Sequence, residues 1–211
     1  MKDAIGAPVL GGTKWKRFAI VMVPTTVVAG AMTVAMAQGA IASSMAISGD
    51  YFKVSASELD GTNFQQTGRV LTTDAGPEAV AEAGISSATI HNMCQSVSVT
   101  LPLNMGHLVV VLKAGADPKN PVTATDLVID SSQLNADAVF TGVQIGVDAG
   151  TLTGVKGFNP DGQANGHFGQ LVQQAVLTDV KQTAWATTAG TFKLSGLSLS
   201  AGFDPGQQCF Q

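Results

Sequence analysis

Three histidines, two cysteines and one oxygen-rich loop are the parts of this 211-residue chain whose types could do chemistry. His91, His107 and His167 are dispersed, and none stands in the His-Glu-x-x-His spacing that puts two imidazoles on one metal. His91 sits between the apolar residues Ile90 and Met93 in an alternating run, which suits a satisfied strand side chain better than a general base. In "NPDGQANG", Asn159, Asp161, Gln163 and Asn165 recur at every second position, the layout of oxygen ligands in a calcium loop. Charge is short there: Asp161 is the lone carboxylate, Ala164 stands where the sharp turn wants glycine, and Gln170 replaces the bidentate glutamate. A plain turn is the better reading. A Gly-x-Ser-x-Gly nucleophile elbow is absent, since "GISSA" from Gly84 and "GLSLS" from Gly196 lack the closing glycine. The sequence therefore assigns no catalytic, cofactor-binding or metal-binding residue.

Location is stated more clearly than chemistry. Lys14, Lys16 and Arg17 precede Phe18 to Ala37, twenty residues without a charge. As a helix this run rises about 30 Å, the thickness of a bilayer's hydrocarbon core. Cations before an apolar span hold the N-terminus in the cytoplasm and send the remainder outside. The chain thus divides into a basic flank (1–17), a signal-anchor or signal-peptide segment (18–47) and an extracytoplasmic β-rich domain (48–211). Ala-x-Ala at Ala35–Ala37 and at Ala40–Ala42 would suit cleavage and secretion, but the run is longer than the 7–15 residues a cleaved segment needs. The favoured expectation is a retained single-pass anchor in the cell membrane. Ala31, Ala35 and Gly39 repeat at four-residue spacing and offer a small-residue face to another membrane helix.

Export decides the role of sulfur. Cys94 and Cys209 are the only cysteines, and oxidising surroundings favour their pairing. With no Cys-x-x-Cys pair or flanking cation to lower a thiol pKa, the expected disulfide is structural.

The elements that would carry these residues read as strands. "YFKVSASEL", "ATIHNMCQSVSVTL", "HLVVVLKAG", "TATDLVIDSS", "AVFTGVQIGV", "AVLTDVKQTAWAT" and "TFKLSGLSLS" alternate or run in apolar and β-branched residues. Gly, Asn, Asp and Pro clusters such as "KAGADPKNP" separate them. Only "GPEAVAEAG" looks briefly helical. Four segments share one pattern, apolar and spacer twice, then a turn-former and an apolar residue: "ATIHNM", "VTATDL", "AVFTGV" and "AVLTDV". Their turn-formers, Asn92, Asp126, Gly142 and Asp179, recur near multiples of about 17–18 residues, as rungs of a β-solenoid would. The expected fold is an all-β exported domain, solenoid-like or of stacked β-sheets, with a β-sandwich as the alternative, preceded by one N-terminal transmembrane helix.

Charge limits the partners. Beyond Ala37 the chain carries seven basic and fourteen acidic residues. Such a surface repels phosphate backbones, so nucleic acid is not an expected partner.

The runs "GAIASSMAISGDYFKVSASELDGTNFQQTG", "ATIHNMCQSV", "ATDLVIDSSQL" and "LTDVKQTAWATTAGTFKLSGLSL" resemble a family of uncharacterised exported proteins from Streptomyces and related actinobacteria, often labelled automatically as cholesterol esterases. The resemblance covers nearly the whole chain and implies a cell-envelope setting. It transfers no catalytic residue. Together these features predict a non-catalytic, membrane-anchored envelope protein that assembles with itself or another membrane protein, or holds an apolar ligand such as a lipid. The alternative is a secreted lipid or sterol-ester hydrolase with an atypical serine site.

Overall fold

The computed structural model describes residues 48–101, 106–159 and 164–211. The expected anchor, with Ala31, Ala35 and Gly39, lies outside the described residues. Among the described residues no helix is long and apolar enough to cross a membrane.

The described part of the chain is all-β, as its alternation predicts. β1 (Phe52–Thr73) and β2 (Gly76–His91) form a long antiparallel hairpin, paired from Thr73↔Gly76 to Glu58↔His91. Thr73 closes the turn: its hydroxyl accepts from the Ala75 N–H at 3.2 Å and donates to the Gly76 carbonyl at 2.8 Å. β3 (Met93–Thr100) continues β2 beyond Asn92, pairs with the start of β1, and is followed by β4 (His107–Ala114). β5 (Val122–Asp148) is 27 residues long and changes partner midway. Its first half pairs with β2 through Ala81↔Ser131, and its second half pairs with β6 (Phe168–Thr188) as far as Asp148↔Phe168. Register shifts around Ser131 and between Asn135 and Asp137 allow the change. β6 returns along the free side of β1. β1, β2, β5 and β6 therefore close on one another as a ring, with β3, β4 and the short β8 (Ser198–Gly202) extending from it and β7 (Thr191–Lys193) against the start of β5.

Among the described residues every pairing is antiparallel, which corrects the solenoid expectation, because stacked rungs would pair in parallel. The four-fold sequence pattern has a different cause. Asn92, Asp126, Gly142 and Asp179 all have left-handed backbone, with φ of 50°, 47°, 67° and 52°. Asn, Asp and Gly are the residues that tolerate it. In a regular strand inward residues are two apart. Here they fall at i, i+2 and i+5: Ala88, Ile90, Met93; Val122, Ala124, Leu127; Ala175, Leu177, Val180, all buried. The left-handed residue at i+4 slips the inward phase by one without shifting the register, since Thr125↔Ser87 and Leu127↔Ile85 flank Asp126 undisturbed. Neighbouring strands slip in step, as Ile85 and Ala88 are both buried. These positions are corners at which the sheet folds over its own core.

"GPEAVAEAG" is a second correction, being strand throughout as the first part of β2. Its helix-favouring Ala and Glu are overruled by burial on both faces, with Ala83 and Ile85 in the main apolar core and Val80 and Glu82 buried on the opposite face.

Candidate functional site

Two features stand apart from an ordinary β core. The first is a buried charge cluster. Arg69 on β1 donates from Nε to Asp130 Oδ1 at 3.0 Å and from Nη2 to Oδ2 at 2.9 Å, a bidentate pair with β5. Its Nη1 lies 3.4 Å from Glu82 Oε1 on β2. Glu82 is 1% exposed and Asp130 5%. One cation faces two carboxylates, and burial pushes the Asp130 carboxyl above its ordinary value against the opposing pull of Arg69's charge and hydrogen bonds.

A loop closes over this cluster. Between β5 and β6 the chain runs through a 3-10 turn at Ala149–Thr151 and is clasped at several points. Asp148 Oδ1 accepts from the Gly150 and Gly166 N–H groups at 2.8 Å each, which holds its carboxyl below the ordinary value. Ser86 Oγ donates to the Gly154 carbonyl at 2.8 Å, and the Asn159 N–H donates to Glu82 Oε2 at 3.0 Å. Leu152, Val155 and Phe158 bury themselves beneath, in a second apolar cluster with Val128. Gly84 makes room for Phe158, because a Cβ there would stand 2.8 Å from the ring. A cavity of about 420 Å³ opens beside the cluster, lined by Arg69, Val70, Ala79, Val80, Asn159 and His167.

The calcium-like spacing falls on this loop. Asn159 has φ 48°, and its side-chain oxygen accepts from the Ala164 N–H at 3.1 Å, so it serves the turn. Asn165 is exposed, whereas Asp161 and Gln163 lie outside the described residues. The histidines do not converge: His91 ends β2, His107 begins β4 with Nδ1 3.3 Å from Thr100 Oγ1, and His167 stands beside the cavity. Cys94 and Cys209 are joined, with Cα atoms 5.7 Å apart. The C-terminus is further held by the Cys209 N–H, which donates to Ser96 Oγ at 3.1 Å, and by Lys53 Nζ, which donates to the Phe210 carbonyl at 3.0 Å.

The second feature is the outer half of β5. From Ser132 onward its only strand neighbour among the described residues is β6, so one edge of backbone groups is open. Both faces are exposed as well. Ala138, Phe140 and Val143 carry the same i, i+2, i+5 inward pattern as the buried segments, yet Phe140 is 38% and Val143 40% exposed, with Phe140 stacked on the core residue Phe64 at 5.8 Å. On the other face Val139 and on the same run Ile145 are each 67% exposed. This is a core-type segment without its cover.

Comparison with known proteins places the chain. Residues 48–210 match a family described as a family of unknown function, DUF6230. The chain belongs to that family. The DUF6230 match takes in the charge cluster, both cysteines and the open half of β5, and begins where the apolar segment 18–47 ends. No curated protein and no solved structure matches.

Sequence reading missed the Arg69, Glu82 and Asp130 cluster. Its signal was present: Glu82 interrupts "AVAEAG" and Asp130 ends "LVID", each a charge inside an apolar run, and a charge in such a place needs a partner.

Proposed function

We propose that this DUF6230 protein is a membrane-anchored, extracytoplasmic envelope protein whose work is assembly rather than catalysis. The observation that carries the reading is the outer half of β5, an unpaired strand edge flanked by exposed Phe140, Val139, Val143 and Ile145. Exposed apolar edges are sites of association, and proteins that stay monomeric blunt them with charge, proline or a covering element. Support comes from the apolar segment after Lys14, Lys16 and Arg17, which would tether the domain, and from a disulfide suited to an oxidising compartment. The small-residue face at Ala31, Ala35 and Gly39 would bring tethered chains together within the membrane. The cavity beside Arg69, with Val70, Ala79 and Val80 in its wall, is the place for an apolar ligand.

Native mass spectrometry of the protein extracted from its own membranes tests the reading. The expected result is an oligomer or a complex with another envelope protein. A monomer with no partner, or a fluorophosphonate label on a single serine, would replace assembly by the hydrolase alternative.

A further inference from the structure

One face of β3, β4 and β8 is apolar and bare beside the point where the chain enters β1, and we propose that the domain rests on the membrane surface through it. This rests on the anchor reading and extends it from the tether to the folded domain.

Register defines the face. Phe52, Val97, Val110 and Ala201 form one row across β1, β3, β4 and β8, and Val54, Gln95, Leu112 and Leu199 form the next. Residues directly opposed in an antiparallel pair point to the same side, so both rows share one face, which carries no charge. It leaves the main apolar core at Val54 and Leu112, which pack against that core, and opens outward until Leu199 is 68% exposed. Leu197 and Phe203, at either end of β8, are also exposed. The opposite side is closed. Val109 and Val111 are buried there, the Cys209 N–H donates to Ser96, and Lys53 and Lys113 project on that side.

Position selects the occupant. Ile47, the last residue of the uncharged segment, and Phe52, the first of the face, are five residues apart, at most about 18 Å of extended chain. With the segment in the bilayer, this end of the sheet is held at the membrane surface. Of its two sides, one is covered and bears lysines, and the other is the bare apolar surface that a bilayer interface takes up. β8 sets the depth. Its outer edge has no strand neighbour among the described residues, and hydrocarbon does not tolerate an open edge. The face therefore lies at the interface, where water and headgroups satisfy that edge.

The test uses the full chain in phosphatidylcholine vesicles. Leu199→Cys and Ser200→Cys are neighbours on opposite sides of β8, both exposed, and each is labelled with an environment-sensitive fluorophore. Because Cys94 and Cys209 are joined, one label per chain also reports an intact fold. Lipids with a nitroxide near the headgroup end of the acyl chain should quench the Leu199 label several-fold more than the Ser200 label. Equal quenching at the two positions overturns the contact. A Leu199 label that is blue-shifted yet unquenched shows the face covered by protein, and overturns lipid as its occupant. The anchor reading fails on a separate measurement, release of the chain by carbonate washing, so equal quenching in chains that the wash retains removes the contact alone.

Discussion

Asn63 and Ser86 face each other across β1 and β2, and the Asn63 side-chain amide donates to Ser86 Oγ at 2.8 Å while its own backbone is held at φ 52°. Ser86 passes the chain of bonds to the Gly154 carbonyl of the covering loop. One asparagine thus turns a corner of the sheet and fastens the loop above it. A second pair repeats the device, with Asn92 at φ 50° donating to Ser57 Oγ at 3.0 Å.

Substitution at Asn63 separates the two contributions. Asn63→Gly keeps the left-handed backbone and loses the hydrogen bond, about 1 kcal/mol. Asn63→Ala loses the bond and adds the left-handed cost of an ordinary side chain, about 1–2 kcal/mol more. Urea unfolding should rank wild type above glycine above alanine. A glycine variant less stable than alanine would show that backbone conformation is not what Asn63 supplies.

The buried cluster predicts how stability depends on pH. Asp130 has a folded pKa above the ordinary 3.8, so between those values the native state holds a proton that the unfolded chain has released. Stability therefore falls as pH rises through that window. Asp148 works in the opposite sense: its folded pKa lies below 3.8, and the stability it contributes above that value is lost as pH falls through the folded one. Asp130→Asn should flatten the slope above the ordinary value and Asp148→Asn the slope below it, each read from thermal midpoints across a pH series.

Arg69 is the keystone of the cluster. Arg69→Met leaves Glu82 and Asp130 buried without their shared cation, a loss of about 3–5 kcal/mol. The loop that closes over Glu82 should then loosen, visible as faster amide exchange between Ala149 and Phe158. A variant within about 0.5 kcal/mol of wild type, the range of an ordinary surface change, would mean that the carboxylates are protonated or solvated without it.

How far the fold was legible depends on what each residue's environment writes into its neighbours. The strands were legible because β-branched alternation is local. So was the four-fold pattern of "ATIHNM" and its relatives, but its meaning was not. A left-handed residue that ends a solenoid rung and one that bends a continuing strand leave the same mark in six residues, and only the partner strand distinguishes them. "GPEAVAEAG" misled because the buried Glu82 is partnered from far along the chain, by Arg69, thirteen positions away, and by the Asn159 N–H, seventy-seven positions away. The uncovered face at Phe140 and Val143 was invisible for the reverse reason, since its sequence is that of a buried segment.

The Cys94–Cys209 bridge spans 115 residues of sequence. Constraining a loop of that length stabilises by about 4–5 kcal/mol in the chain-entropy model, with less expected in practice. Non-reducing peptide mapping should recover the two cysteine peptides joined. Cys94→Ser with Cys209→Ser should release the last residues first, because Ser96 and Lys53 are the remaining ties of Cys209 and Phe210. Two free thiols in protein from the native host would sink the bridge.

The final prediction concerns Phe18 to Ala37, which we expect to remain attached and to hold the protein in the membrane with Tyr51 onward outside. Twenty uncharged residues match the bilayer, the cations before them fix the orientation, and the run exceeds what a cleaved segment requires. Tethering also bears on assembly, since confining a chain and its partner to one membrane raises the concentration at which they meet. N-terminal sequencing of protein from the native host should find the segment intact in a carbonate-washed membrane pellet. A mature chain beginning at Gln38 or Ser43 would make the segment a removable export tag. Any association through β5 would then have to proceed without a tether.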